Sequence, residues 1–86
     1  MKNMTNFMEV VAENVLEGAL AKDKQGLSAR ALEDVKALAL NRLWPMYATT
    51  DAGKDYLKKV VAEDHIEKDV ARELRAAMDI VRSNPR

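Results

Sequence analysis

Pro45 stands in the middle of a chain whose other segments have helical composition, and it limits the possible folds more than any other residue. Proline cannot donate a backbone hydrogen bond, and its ring disfavours helical geometry at the preceding residue, here Trp44. We therefore expect the central helix to end near Trp44. The residues that follow Pro45, MYATT, are predicted to be extended.

Two amphipathic helices are predicted before this proline. From about Thr5 to Lys22 apolar residues recur at intervals of three and four, which is the spacing of a helix with one buried face, and we expect Thr5 to be its N-cap. The second helix is predicted from about Ser28 to Leu43. In the link between them, Gly26 can stop the first helix in a left-handed conformation and Ser28 can cap the second.

The last helical block is predicted from Gly53 to about Arg82, and its apolar residues form two stripes that are out of phase. The first stripe is Leu57, Val60 and Val61, and the second is Ile66, Val70, Leu74, Met78 and Val81. Either the helix kinks near residues 63–65, or one long helix turns its second stripe towards a partner chain. The second alternative suits a small domain that needs more buried surface, and it predicts a homodimer formed through the second and last helices.

The composition is that of one folded domain, residues 1–86, with a mainly α core of three to four helices and a short extended segment after the second. Fourteen basic and 14 acidic residues balance, so general nucleic-acid binding is not expected. The chain has no cysteine, which excludes disulfides and thiolate zinc sites and favours a cytoplasmic location. Neither a signal peptide nor a membrane span is predicted.

Catalytic patterns are weak, and we expect a protein that is not an enzyme. His65 is the single histidine, so a nucleophilic triad built on a second histidine cannot be assembled, and a solvated His65 is favoured over a general base. Glu9, Glu13 and Glu17 recur every four residues, which predicts a solvated helix face rather than a metal site. No glycine-rich phosphate loop is present.

The segment around Pro45 carries the kinds of side chain that hold nucleotides: cations, aromatic faces and hydroxyl groups. These are Lys36, Arg42 and Lys54, then Trp44 and Tyr47, then Thr49 and Thr50. The alternative interpretation is structural. In it Trp44 belongs to the core, Tyr47 is packed with its hydroxyl on a backbone carbonyl, and Thr50 and Asp51 cap a helix.

The same segment resembles a known family. The run EDVKALALNRLWPMYATTDAGKDYLKK resembles the central motif of the late competence development protein family, ComFB, and NFMEVVAENVLEGAL resembles the family's first helix, so nearly the whole chain is covered. The matching positions are Asp34, Ala37 to Asn41, Leu43, Pro45, Tyr47, Thr50, Gly53 and Tyr56 to Leu57. Two departures stand out. The cysteines that many members carry after the first helix are missing, so zinc is not expected, and Trp44 replaces the first of two prolines.

The resemblance implies a small, dimeric, helical regulatory protein without a resident cofactor. Some members of the family act as receptors for cyclic di-GMP, and the resemblance extends that expectation to this chain, with a protein effector such as a transcription factor as partner. The implied ligand-binding residues are Asp34, Arg42 and Tyr47 on the guanines, Lys36 or Lys54 on a phosphate, and Asn41 and Thr50 beside them. A ligand-free dimeric adaptor of the same family is the alternative, and an uncharacterised enzyme is the least supported one.

Overall fold

A computed structural model of the chain describes residues 4–22 and 26–84. Within these ranges four helices and two short strands follow one another as β1 (Thr5–Asn6), α1 (Phe7–Ala21), α2 (Ala29–Arg42), β2 (Tyr47–Ala48), α3 (Asp51–Glu63) and α4 (Ile66–Ser83). The mainly α fold with an extended segment after the second helix is confirmed. None of the helices in these ranges is both long and apolar enough to cross a membrane.

The first helix begins one step later than predicted. Asn6, not Thr5, is the N-cap: its side chain accepts a hydrogen bond from the Met8 amide, while Thr5 lies in β1 opposite Ala48. The prediction of a Thr5 cap is wrong because strand pairing with Ala48, far along the chain, takes Thr5 out of the helix, and local propensity does not reveal such a pairing.

The link and the second helix agree more closely with the sequence. Gly26 has the predicted positive φ, 67°, but it does not stop α1, which has already ended at Ala21. Ser28 caps α2 as predicted, because its hydroxyl oxygen accepts a hydrogen bond from the Ala31 amide at 3.1 Å. The helix ends at Arg42, before Trp44, which confirms the effect expected of Pro45.

Of the two alternatives for the last helical block, the interruption near residues 63–65 is confirmed. Residue His65 takes the left-handed conformation, with φ 55° and ψ 37°, and separates α3 from α4. Gly53 lies in the first turn of α3, whose N-cap is Thr50. A single continuous helix is therefore wrong, and the phase shift between the two stripes follows from the change of direction at His65.

The core lies between α4 and the first two helices, against which α4 packs most extensively. The second stripe of the last block faces this core: Val70, Leu74 and Met78 are buried within the chain. The interpretation that this stripe is turned towards a partner is wrong, because α1 and α2 already cover it. The whole buried cluster comprises Phe7, Met8, Val11, Ala12, Leu16, Val35, Ala39, Val61, Val70, Leu74, Ala77 and Met78.

Candidate ligand-binding site

The segment between α2 and α3 is kept out of helical conformation by its own sequence. Leu43 is the C-cap of α2 with ψ 146°, and Pro45 keeps the next residues extended. Trp44 is left 86% exposed, so the interpretation of Trp44 as a core residue is wrong. An exposed indole at a proline-stiffened turn is available to stack on a planar ligand.

The first turn of α1 fixes the other end of this segment. The Asn6 side-chain oxygen accepts a hydrogen bond from the Met46 amide at 2.7 Å, and the Phe7 amide donates to the Met46 carbonyl at 2.6 Å. Asn6 and Tyr47 are paired in the short antiparallel sheet. Met46 is thus bonded through both of its backbone groups to the N-cap and the first residue of α1, although the chain reaches it from α2.

A cleft of about 460 Å³ opens between this segment and the first turns of α4. Its apolar lining comprises Met8, Leu43, Trp44, Pro45, Met46, Val60 and Ile66, and its charged lining comprises Arg42, Asp69, Arg72 and Glu73. The volume is within the range of small-molecule sites, and so is the combination of an apolar floor with a few polar groups.

Two guanidinium groups and two carboxylates meet in this cleft. Arg72 Nη1 lies 3.2 Å from Asp69 Oδ1, and Arg72 Nε lies 3.8 Å from Glu73 Oε2. Arg42 makes no ion pair with any residue in the described ranges. Arg42 therefore offers an uncommitted cation, whereas Arg72 is already partly neutralised by its two neighbours.

Of the sequence-predicted residues, Asp34 and Asn41 lie together elsewhere. Both line a second cleft, of about 310 Å³, between the outer face of α2 and the end of α4, where Ile80 and Val81 supply apolar surface. The structure therefore separates Asp34 from Arg42, which lines the cleft at Trp44. The expectation that Asp34 and Arg42 contact one guanine together is therefore not supported, because the two side chains line different clefts.

Two further predicted residues, Lys36 and Thr50, already have partners within the chain. Lys36 Nζ lies 2.7 Å from Glu33 and 3.4 Å from Glu13, so its ammonium group already has two carboxylate partners. Thr50 caps α3 through its hydroxyl oxygen, which accepts from the Gly53 amide at 3.0 Å. The alternative interpretation of Thr50 as a cap is confirmed, while Asp51 is the first helical residue.

Tyr47 lies in β2 and Lys54 in the first turn of α3. Tyr47 is 59% exposed, so it is not the packed residue of the structural alternative, and Lys54 is half-buried in the first turn of α3. Neither residue lines the cleft at Trp44.

Sequence reasoning missed the contribution of α4 to the cleft. Asp69, Arg72 and Glu73 are spaced three and four apart, which places them on one helix face, and that spacing was the available signal. Their approach to Arg42 depends on the turn at His65, which the sequence left undecided.

A metal centre finds no support in the described ranges, where no group of three or more histidine, cysteine, aspartate or glutamate side chains is arranged to hold an ion. Glu9, Glu13 and Glu17 are all exposed on α1, as the solvated-face interpretation predicts.

The fold and the cleft together define a small α-helical protein with a short two-stranded sheet beside its candidate site. The same fold occurs in the late competence protein ComFB from Bacillus subtilis, with a TM-score of 0.85, 21% sequence identity and coverage of 96% of this chain and 92% of that one. At this identity the likeness shows the fold alone.

The family model described as late competence development protein ComFB matches residues 5–85. The chain belongs to the ComFB family, which confirms the resemblance drawn from the ALALN helix and the proline-tyrosine segment. No curated protein matches the chain.

Proposed function

We propose that this ComFB-family protein is a regulatory receptor for cyclic di-GMP that acts by binding rather than by catalysis and signals through a protein partner. The observation that carries the proposal is the cleft at Trp44, where an exposed indole, two guanidinium groups and two carboxylates converge over an apolar floor. Each of these groups matches one part of a guanine nucleotide.

Guanine recognition requires two kinds of hydrogen bond and a stacking face. The acceptors O6 and N7 of guanine suit the fork of an arginine, and its N1–H and N2–H donors suit a carboxylate. In the cleft, Arg42 can supply the fork, Asp69 or Glu73 the carboxylate, and Trp44 the stacking face.

The phosphates of the ligand need local positive charge, because the formal net charge of the chain is zero. Arg42 and Arg72 are the cations of the cleft. A phosphate that approached Arg72 would compete with Asp69 and Glu73 for its guanidinium. Binding would thus rearrange the ion pairs on the first turns of α4, and such a rearrangement can be transmitted to a protein partner.

A domain of this size has a small core, and association of two copies through a two-fold interface adds buried apolar surface. We therefore propose a homodimer as the functional form. The surface offered for it is the outer face of α2 and the end of α4, the two helices that the sequence indicated, where Ile80 remains 38% exposed.

Titration calorimetry with cyclic di-GMP, with GTP as the control ligand, tests the receptor function. We expect saturable binding of the cyclic dinucleotide, and we expect Arg42→Ala to weaken it by about 10- to 150-fold, because a hydrogen bond to a charged group contributes about 1.5–3 kcal/mol. Thermal melting should hardly change, since Arg42 is exposed at a helix end.

Arg75→Ala is the matched control for Arg42→Ala. Arg75 is also an exposed arginine, but it lies on α4 away from the lining of the cleft, so its removal should leave the affinity unchanged. Equal losses in the two variants would assign the effect to general electrostatics. If the parent protein does not bind the dinucleotide at all, the receptor function is ruled out.

The ligand-free adaptor is the second candidate function, and exposed aromatic rings favour it. Trp44, Tyr47 and Tyr56 are 86%, 59% and 67% exposed, and aromatic side chains are enriched in protein interfaces. Under this alternative, Trp44→Ala would abolish capture of a protein partner while calorimetry showed no binding of cyclic di-GMP.

A further inference from the structure

The amide oxygen of Asn6 accepts two hydrogen bonds, which link parts of the chain that are distant in sequence. One comes from the Met8 amide at 3.1 Å and caps α1, and the other comes from the Met46 amide at 2.7 Å. Both partners are N–H donors, so the oxygen of the amide group has to face them. One side-chain atom thereby joins the start of α1 to the residue that follows Pro45.

Asn6 itself does not line the cleft at Trp44, but both residues bonded to it do. Met8 contributes to the apolar floor and Met46 to the wall that continues through Pro45 to Trp44. The carbonyl of Met46 is also held by the Phe7 amide, but beyond Met46 the wall is less constrained, because Pro45 has no amide hydrogen to donate and Trp44 is exposed. The junction at Asn6 therefore contributes to the position of the wall relative to the floor.

We infer that Asn6 is a positioning residue for this cleft, and that it couples the N-terminus of α1 to the residues that would contact a nucleotide. The inference deepens the proposed function and rests on it where ligand affinity is concerned. Its structural part, the placement of the wall, is independent of any ligand.

The chain offers a matched control for the capping role of Asn6. Ser28 caps α2 with a hydrogen bond of 3.1 Å to the Ala31 amide, the same length as the capping bond of Asn6, but it makes no link to the segment after Pro45. Ser28→Ala and Asn6→Ala therefore remove comparable caps. Only the second change also removes the acceptor of the Met46 amide.

Two measurements on the unliganded protein test the placement of the wall: hydrogen exchange of the Met46 amide by NMR, and fluorescence anisotropy of Trp44, the single tryptophan. In Asn6→Ala we expect the Met46 amide to exchange at least about tenfold faster and the anisotropy to fall. Asn6→Asp should restore both values, because a carboxylate oxygen accepts the same two bonds and suits a helix N-terminus.

Ser28→Ala should lower the melting temperature, though by less than Asn6→Ala does, and leave both measurements at the wild-type value. Unchanged exchange of Met46 in Asn6→Ala, or equal changes in the two variants, would overturn the inference.

Calorimetry with cyclic di-GMP then extends the test to binding. We expect Asn6→Ala to weaken the affinity by about tenfold and Asn6→Asp to restore it, because a mobile wall must be ordered when the ligand binds. If Asn6→Ala binds as tightly as the wild type, the coupling of Asn6 to the ligand is wrong. If the wild type itself does not bind, the receptor function fails, while exchange and anisotropy still decide the positioning role.

Discussion

Lys36 has a structural role, because its ammonium group forms ion pairs with Glu13 on α1 and Glu33 on α2. Its hydrogen bond to Glu33 raises its pKa above the usual 10.5, Glu13 raises it further, and desolvation acts in the opposite direction. Because the pKa of Lys36 is higher in the folded than in the unfolded protein, its ion pairs stabilise the fold fully at any pH below the unfolded-state pKa. This stabilisation is lost as the pH rises through the folded-state pKa. Across neutral pH the tie between α1 and α2 is therefore constant. A phosphate that used Lys36 would have to compete with both carboxylates.

His65 is a residue whose backbone conformation matters more than its side chain. It is exposed, has φ 55° and makes no side-chain capping bond, so nothing in its side chain offsets the cost of a left-handed backbone. That conformation costs an L-residue about 1–2 kcal/mol, and glycine adopts it without this cost but loses about 0.5–1 kcal/mol through the entropy of the unfolded chain.

We therefore expect His65→Gly to raise the free energy of unfolding by up to about 1 kcal/mol, as measured by urea denaturation. His65→Ala serves as the control, since it removes the imidazole but keeps the Cβ, and it should give no gain. A loss of stability in His65→Gly would mean that the imidazole makes a contribution that its exposure does not indicate.

At the scale of elements, side-chain caps define where three of the helices begin. Asn6, Ser28 and Thr50 each accept a hydrogen bond from an amide in the first turn of α1, α2 and α3, whereas α4 starts from the turn at His65. The Thr50 cap also leaves little room for a side chain at position 53 of α3. A Cβ added to Gly53 would lie 3.2 Å from the Thr50 hydroxyl oxygen and 3.4 Å from Ala48 Cβ.

The two helical glycines should consequently respond differently to alanine. Gly18 in α1 has nothing within 4 Å of an added Cβ, so Gly18→Ala should stabilise the protein by about 0.5–1 kcal/mol. Gly53→Ala should gain less or lose stability, because the new methyl group displaces the Thr50 hydroxyl from the amide that it caps. Denaturant unfolding of both variants measures the difference. An equal gain at both positions would contradict the close approach at Gly53.

At the scale of the whole molecule, the monomer covers the apolar stripe of α4 with its own α1 and α2. Val70 is 0% and Leu74 is 1% exposed without any partner chain. Any dimer must therefore use what remains at the surface. On α2 and α4 that is the cleft between Ala37, Leu38 and Ile80.

Light scattering at tens of micromolar protein should show a dimer in the wild type. We expect Ile80→Lys to shift it towards a monomer, because an ammonium group in an apolar interface loses its hydration. Val10→Lys is the matched control, since Val10 is 48% exposed on α1, away from the proposed interface. A monomeric wild type, or dissociation by Val10→Lys alone, would contradict an interface on α2 and α4.

Much of the fold could be predicted from the sequence because its causes are local. Apolar spacing predicted α1 and α2 to within one or two residues, Ser28 was identified as a cap, and Pro45 was expected to end the central helix and start an extended segment. These features depend on neighbouring residues, whose preferences the sequence states directly.

The tertiary structure alone decided the features that join distant residues. The pairing of Thr5 with Ala48 takes Thr5 out of α1, and the turn at His65 brings Arg72 and its carboxylate neighbours to the cleft beside Arg42. The candidate site was therefore predicted only on its α2 side. Local propensities do not encode which segments meet, because contacts across 30 or 40 residues are chosen by the burial of the whole core, and that burial is a property of all the helices at once.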